Sequence, residues 1–133
     1  IIAFLVIGAG LYWDSLIRKR QVNHAHINRF HTIMKQLTDE ASNYWARDGD
    51  DLESKVSSSK ITALYHYLIN QVWEVIRFEG DEKQCFIDSL SELNDYITNG
   101  DFQSSERKAE PGRIQVILTK SGQILVDIEK AIL

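Results

Sequence analysis

The sequence predicts an all-α protein: a partial N-terminal transmembrane helix continuous with a small antiparallel bundle of three or four helices. Three observations carry this reading. An uncharged apolar run opens the chain. Apolar residues then recur at helical spacing through three segments, and each of those segments stops at a glycine. The size agrees, since 133 residues make one domain, and 44% hydrophobic with 26% charged residues is an ordinary globular balance.

The opening run, Ile1–Trp13, reads IIAFLVIGAGLYW and carries no charge. At ~1.5 Å per residue it covers only ~20 Å of a ~30 Å hydrocarbon core. It is therefore read as the end of a spanning helix, residues 1–17, whose start lies upstream. Tyr12 and Trp13 stand where an aromatic belt meets headgroups, and Arg18, Lys19 and Arg20 follow as a basic cluster of the kind that marks the cytoplasmic side. These five residues are the candidate membrane-interface positions. Residues 18–26 form a basic juxtamembrane helix, and 27–133 form a helical domain expected in the cytoplasm beneath the inner (plasma) membrane. Gly8, Ala9 and Gly10 would let another helix approach closely.

From Ser15 to Ala46 neither Pro nor Gly interrupts the chain. Ile27, Phe30, Met34, Leu37, Ala41 and Tyr44 repeat at alternating intervals of three and four. This is a heptad seam, a candidate for bundle packing or for an interface with another chain. Gly49 is expected to end the helix in a left-handed cap. One of Ser57, Ser58 or Ser59 is expected to cap the second helix, whose stripe runs through Ile61, Leu64, Tyr65, Leu68, Val72, Val75 and Ile76 before Phe78-Glu79-Gly80. Asp81 with Gln84 resembles a capping box at the head of the third helix, which buries Phe86, Leu90, Leu93 and Ile97 and stops at Thr98-Asn99-Gly100.

Residues 101–112 hold the only Pro and read as a linker long enough to cross from one end of a bundle to the other. The last segment, Arg113–Leu133, reads two ways. Ile114, Ile117, Leu118, Leu125, Ile128 and Ile132 suit one face of a helix, bent near Gly122. Ile114, Val116 and Leu118, then Ile124, Val126 and Ile128, alternate as in a β-hairpin turning at Lys120-Ser121-Gly122. A lone hairpin is marginally stable without a partner sheet, so the helix is preferred.

Charge is unevenly placed. Residues 14–47 carry six basic and three acidic residues, whereas 48–133 carry nine basic and sixteen acidic. The basic part suits an anionic leaflet, and the acidic part would be held away from it. The net charge of −4 argues against a nucleic-acid partner.

Chemistry-bearing motifs are scarce. His24, His26, His31 and His66 lack the i, i+4 spacing of a metal pair, and one Cys gives neither disulfide nor Cys-based zinc site. Cys85 is expected half-buried beside Phe86. The acidic stretch Asp48–Glu53 lacks the order of a calcium loop and reads as solvated. Trp45, Trp73, Tyr65 and Tyr67 are expected mostly in the core, with any exposed member a candidate interface anchor. No phosphate loop, nucleophile elbow or dinucleotide fingerprint occurs, so no catalytic, cofactor or metal residue is assigned and no small-molecule substrate is evident.

The expected function is that of a single-pass, non-enzymatic membrane protein whose helical domain acts as an interaction, assembly or regulatory subunit of a membrane complex. Its partners would be the lipid bilayer and a protein, or a second copy. Two alternatives are a membrane-perturbing effector, such as a toxin, exclusion or defence component, and an extracytoplasmic four-helix ligand sensor from a truncated receptor.

Overall fold

The computed structural model describes residues 2–78, 80–100 and 102–132, with the side chains of Ile2 and Ile132 set aside. Ile1 at the head of the apolar run, Asp101 at the head of the linker and the Ile132 side chain expected in the core lie outside the described residues.

Four helices and no strand occur among the described residues. They are α1 (Ile2–Trp45), α2 (Leu52–Asn70), α3 (Glu82–Thr98) and α4 (Gly112–Ile132). A five-residue π-turn, Gln71–Val75, continues α2 without a break. α1 packs on both α2 and α4, α3 packs on α4 and the π-turn, and α2 and α3 touch lightly. The order around the bundle is therefore α1–α2–α3–α4.

The 44 residues of α1 make a rod of about 66 Å, of which only the second half is in the bundle. Its heptad residues Ile27, Phe30, Met34, Leu37, Ala41 and Tyr44 are all buried. From Phe30 onward they meet Ile61, Leu68 and Val72 of the α2 segment, Leu90, Leu93 and Ile97 of α3, and Ile117, Ile124 and Ile128 of α4 in one continuous core. The predicted seam is thus the inner wall of this bundle and leaves no free face along those positions.

Several boundaries differ from the sequence expectation. α2 starts earlier than the serine run. Asp51 is its N-cap and accepts a hydrogen bond from the Glu53 N–H at 2.9 Å, so Ser57, Ser58 and Ser59 are interior helical residues. Ser57 donates to Glu40 of α1 at 3.0 Å, and Ser58 donates to the Lys55 carbonyl at 2.8 Å. A carboxylate at the true cap satisfies the free amides better than a hydroxyl two turns on.

The capping box of α3 does not form. Asp81 precedes the helix without a side-chain cap bond, and the Gln84 amide instead donates to Asp88 Oδ1 at 2.9 Å. Gly80 and Gly100 do adopt left-handed conformations, with φ of 63° and 67°. Gly49 does not. It is required for close approach, because an added Cβ would overlap the Ser104 carbonyl oxygen.

The C-terminal segment is a helix and not a hairpin. α4 runs through Gly122 uninterrupted and turns Ile117, Ser121, Ile124 and Ile128 to the core. Val126, inward in the hairpin alternative, is exposed, and so is Leu118, which both the helix stripe and the hairpin placed inward. With no partner strand, helical backbone bonds are the route that satisfies this segment internally.

The linker does not traverse the bundle. α3 ends where α4 begins, so residues 102–111 fold over that one end. The Glu110 N–H donates to the Trp45 carbonyl, and the Gly49 N–H donates to the Arg107 carbonyl, each at 2.7 Å.

Candidate functional site

The opposite end carries the most unusual feature. From Ala3 to Ser15 every side chain of α1 is exposed, including Phe4 at 82% and Trp13 at 64%. Leu5, Val6, Ile7, Leu11 and Tyr12 are exposed as well. More than three turns of apolar helix therefore project with no face covered. A helix that buries one stripe is amphipathic, whereas one that is apolar all round needs apolar surroundings on every side. Gly8 and Gly10 have open space where a Cβ would stand.

Among the described residues no helix is long and apolar enough to cross a membrane. The reason is local: Asp14, Arg18, Lys19 and Arg20 follow the apolar run within two turns. Arg18, Lys19 and Arg20 are exposed on the same rod, just beyond Tyr12 and Trp13. The five sequence-predicted interface residues thus sit together along the arm, and the six seam residues lie inside the bundle.

The end of the bundle away from the arm holds the densest polar network. Arg107 is 1% exposed. Its guanidinium lies 3.9 Å from the Tyr44 ring centre and 5.0 Å from that of Trp45. Nη1 donates to the Arg47 carbonyl at 2.6 Å and Nη2 to Ser54 Oγ at 3.2 Å, while buried Nε finds no partner. The Arg113 guanidinium also lies over Trp45, 3.8 Å from its ring centre, and is held by Glu110 Oε2 at 2.7 Å and the Asn99 carbonyl at 3.1 Å. Trp45 Nε1 donates to the Ile97 carbonyl at 2.9 Å, and Tyr44 Oη accepts from the Gln103 N–H at 2.7 Å.

These contacts close the helix ends and strap the linker down. Two arginines stacked on aromatic rings replace water with π-faces and carbonyls. The acidic stretch belongs to the same clasp rather than to solvent alone, since Asp48 Oδ1 accepts from the Ala109 N–H at 2.9 Å. Sequence spacing could not disclose this cluster, because Arg107 lies sixty residues from its carbonyl partner.

The remaining candidates are dispersed. Cys85 is exposed, not half-buried, while its neighbour Phe86 turns to the core. His31 Nε2 sits 3.2 Å from Glu129 Oε1 but out of line for a hydrogen bond. His31 edges an open groove of about 480 Å³ between α1 and α4, walled by Met34, Thr38, Leu118 and Leu125. Trp45 is core, whereas Trp73 and Tyr67 are exposed. Among the described residues no group of three potential metal ligands converges. The chain matches no family model, no curated protein and no solved structure.

Proposed function

We propose that this chain is a membrane-anchored, non-enzymatic protein that carries a helical interaction or assembly domain at a bilayer surface. One observation supports this above the others: the arm from Ala3 to Leu11 exposes apolar side chains on every face. Fully transferring Phe4, Leu5, Val6, Ile7 and Leu11 out of water stabilises by about 1.5–3 kcal/mol each, so a lipid environment is worth roughly 10 kcal/mol to the arm. Tyr12 and Trp13 then take the headgroup level, and Arg18, Lys19 and Arg20 lie beside anionic phosphates on the cytoplasmic side. The bundle hangs beneath as a partner-binding unit of a membrane complex, at the inner or plasma membrane.

The test is flotation of the full chain with lipid vesicles. The wild-type chain floats. The double variant Leu5→Arg/Ile7→Arg stays in the dense fraction, because each arginine costs about 2.5–3.5 kcal/mol at membrane depth. Both side chains lie outside the bundle, so its melting is unchanged. A wild-type chain that remains a soluble monomer and ignores vesicles would overturn the reading. The orientation is tested separately by protease protection: digestion of the bundle from outside intact cells reverses it.

A further inference from the structure

We propose that the outer face of α2 pairs with the same face of a second copy of this chain, as a short parallel two-stranded coiled coil. The pairing rests on the anchored reading above, from which it takes that both arms enter one bilayer.

The polarity of α2 is inverted over its first half. Ser54, Ser57 and Ser58 are turned into the bundle, whereas Leu52 is 74% and Val56 is 49% exposed. A helix with only its own bundle to cover would place apolar and polar residues the other way round. The inversion makes sense when α2 has a second face to bury. That face lies opposite the buried Ile61 and Leu68, and consists of Leu52, Val56, Ser59, Ala63, His66 and Asn70 at alternating intervals of four and three. All six are exposed, and none is an acid, a lysine or an arginine. From Ile61 to Trp73 the chain holds no such residue at all, although Thr62, Tyr67 and Trp73 are exposed as well. The outward side of a bundle helix is where charge ordinarily collects. Loss of charge together with exposed aromatic side chains is the composition of an interface.

The same residues select the occupant. Their spacing makes Val56, Ala63 and Asn70 the a positions of a heptad and Leu52, Ser59 and His66 the d positions. Valine at a with leucine at d favours two parallel strands, and a lone asparagine at a fixes the register. The amide of Asn70 both donates and accepts, so an asparagine at the same level satisfies it, and a second copy supplies one by symmetry. A two-fold axis also sets each seam residue against itself, so a charge on the seam would meet a like charge. The outer face of α3, with Asp88, Glu92 and Asp95 exposed, fails on that ground. At the border of the α2 seam, Lys55 makes no ion pair among the described residues. In a parallel pair it faces the opposite edge of the other copy, where Arg47 and Lys60 stand against Glu40, Asp51 and Glu53. That edge is net acidic, so the border attracts. Arms held in one bilayer supply the parallel orientation and raise the effective concentration, which offsets a seam shorter than three heptads.

Disulfide trapping of the full chain tests the pairing. Cys85→Ser removes the native thiol, and Ser59→Cys then places a thiol at a central d position. Ser91→Cys, exposed on α3, is the control. Each chain is oxidised at one concentration, with and without lipid vesicles. Ser59→Cys is expected to link into a dimer at least about ten-fold faster than the control, and adding Val56→Glu to bring that rate down to the control's. The Val56 side chain is half-exposed and outside the buried core, so the melting curve of the bundle is expected to stay that of wild type. Protein that floats but links no faster at Ser59→Cys than at Ser91→Cys overturns the pairing and leaves the anchor standing. A linked dimer undiminished by Val56→Glu also overturns the seam. Protein that links at Ser59→Cys without floating keeps the pairing and overturns the anchor, and protein that does neither overturns both.

Discussion

Replacing Arg107 by Met tests whether a buried cation without a carboxylate partner stabilises this fold. The guanidinium makes two hydrogen bonds, to the Arg47 carbonyl and to Ser54 Oγ, and hydrogen bonds to charged groups contribute about 1.5–3 kcal/mol each. Stacking on Tyr44 and Trp45 adds about 1–2 kcal/mol in a desolvated setting. Against this stands the cost of burying the charge, with Nε unpartnered, of several kcal/mol. Methionine fills the space, removes the charge and leaves the Arg47 carbonyl without its donor, whereas Ser54 Oγ keeps its bond to the Asp48 carbonyl. The net expectation is a loss of about 2–4 kcal/mol. For a bundle of this size that is a fall of about 10 °C in melting temperature, followed by far-UV circular dichroism of the full chain in mild detergent. Arg107→Lys keeps the charge but not the planar fork, so it restores at most a small part. A methionine variant that melts at or above wild type would show that desolvation exceeds the bonds gained, and the clasp would then be a cost borne by the fold.

Trp45→Phe retains the buried ring but loses the bond from Nε1 to the Ile97 carbonyl; a loss of about 1–2 kcal/mol in denaturant unfolding is expected. Gly49→Ala forces the Ser104 carbonyl away and should loosen the linker, seen as faster amide exchange at residues 102–110 with most of the bundle protected. Asp51→Ala removes the N-cap of α2 and should cost about 1 kcal/mol, whereas Ser59→Ala, at an exposed helix-interior position, should cost little. Leu118→Glu on α4 should leave stability within about 0.5 kcal/mol, as an exposed position does and a strand-core position does not.

Legibility varied by kind of residue. The positions Ile27 to Tyr44, Phe86 to Ile97, and Ile61 and Leu68 are all buried, as their 3-and-4 spacing predicts. Such positions are readable because one helix face must be covered somewhere, whatever covers it. Capping was read less well. Asp51 and Ser57–Ser59 are all chemically able to cap a helix, and the choice rested on where the chain could pack, since Ser57 and Ser58 are buried and Ser57 bonds to Glu40 of α1. The arm and its aromatic and basic flank were legible as a contiguous string standing apart from the domain of residues 27–133, and the side chains from Ala3 to Ser15 are exposed.

The sequence by itself determined the helical class, the apolar and basic ends of α1, and the inward stripe of three helices, because each depends on residues within a few turns of one another. The tertiary structure alone decided that α4 is a helix, that the heptad seam faces inward, that the linker straps one end of the bundle, and that Arg107 is buried between Tyr44 and Ser54. These depend on surfaces supplied by segments tens of residues away, and a local pattern carries the demand for a partner without saying which one meets it.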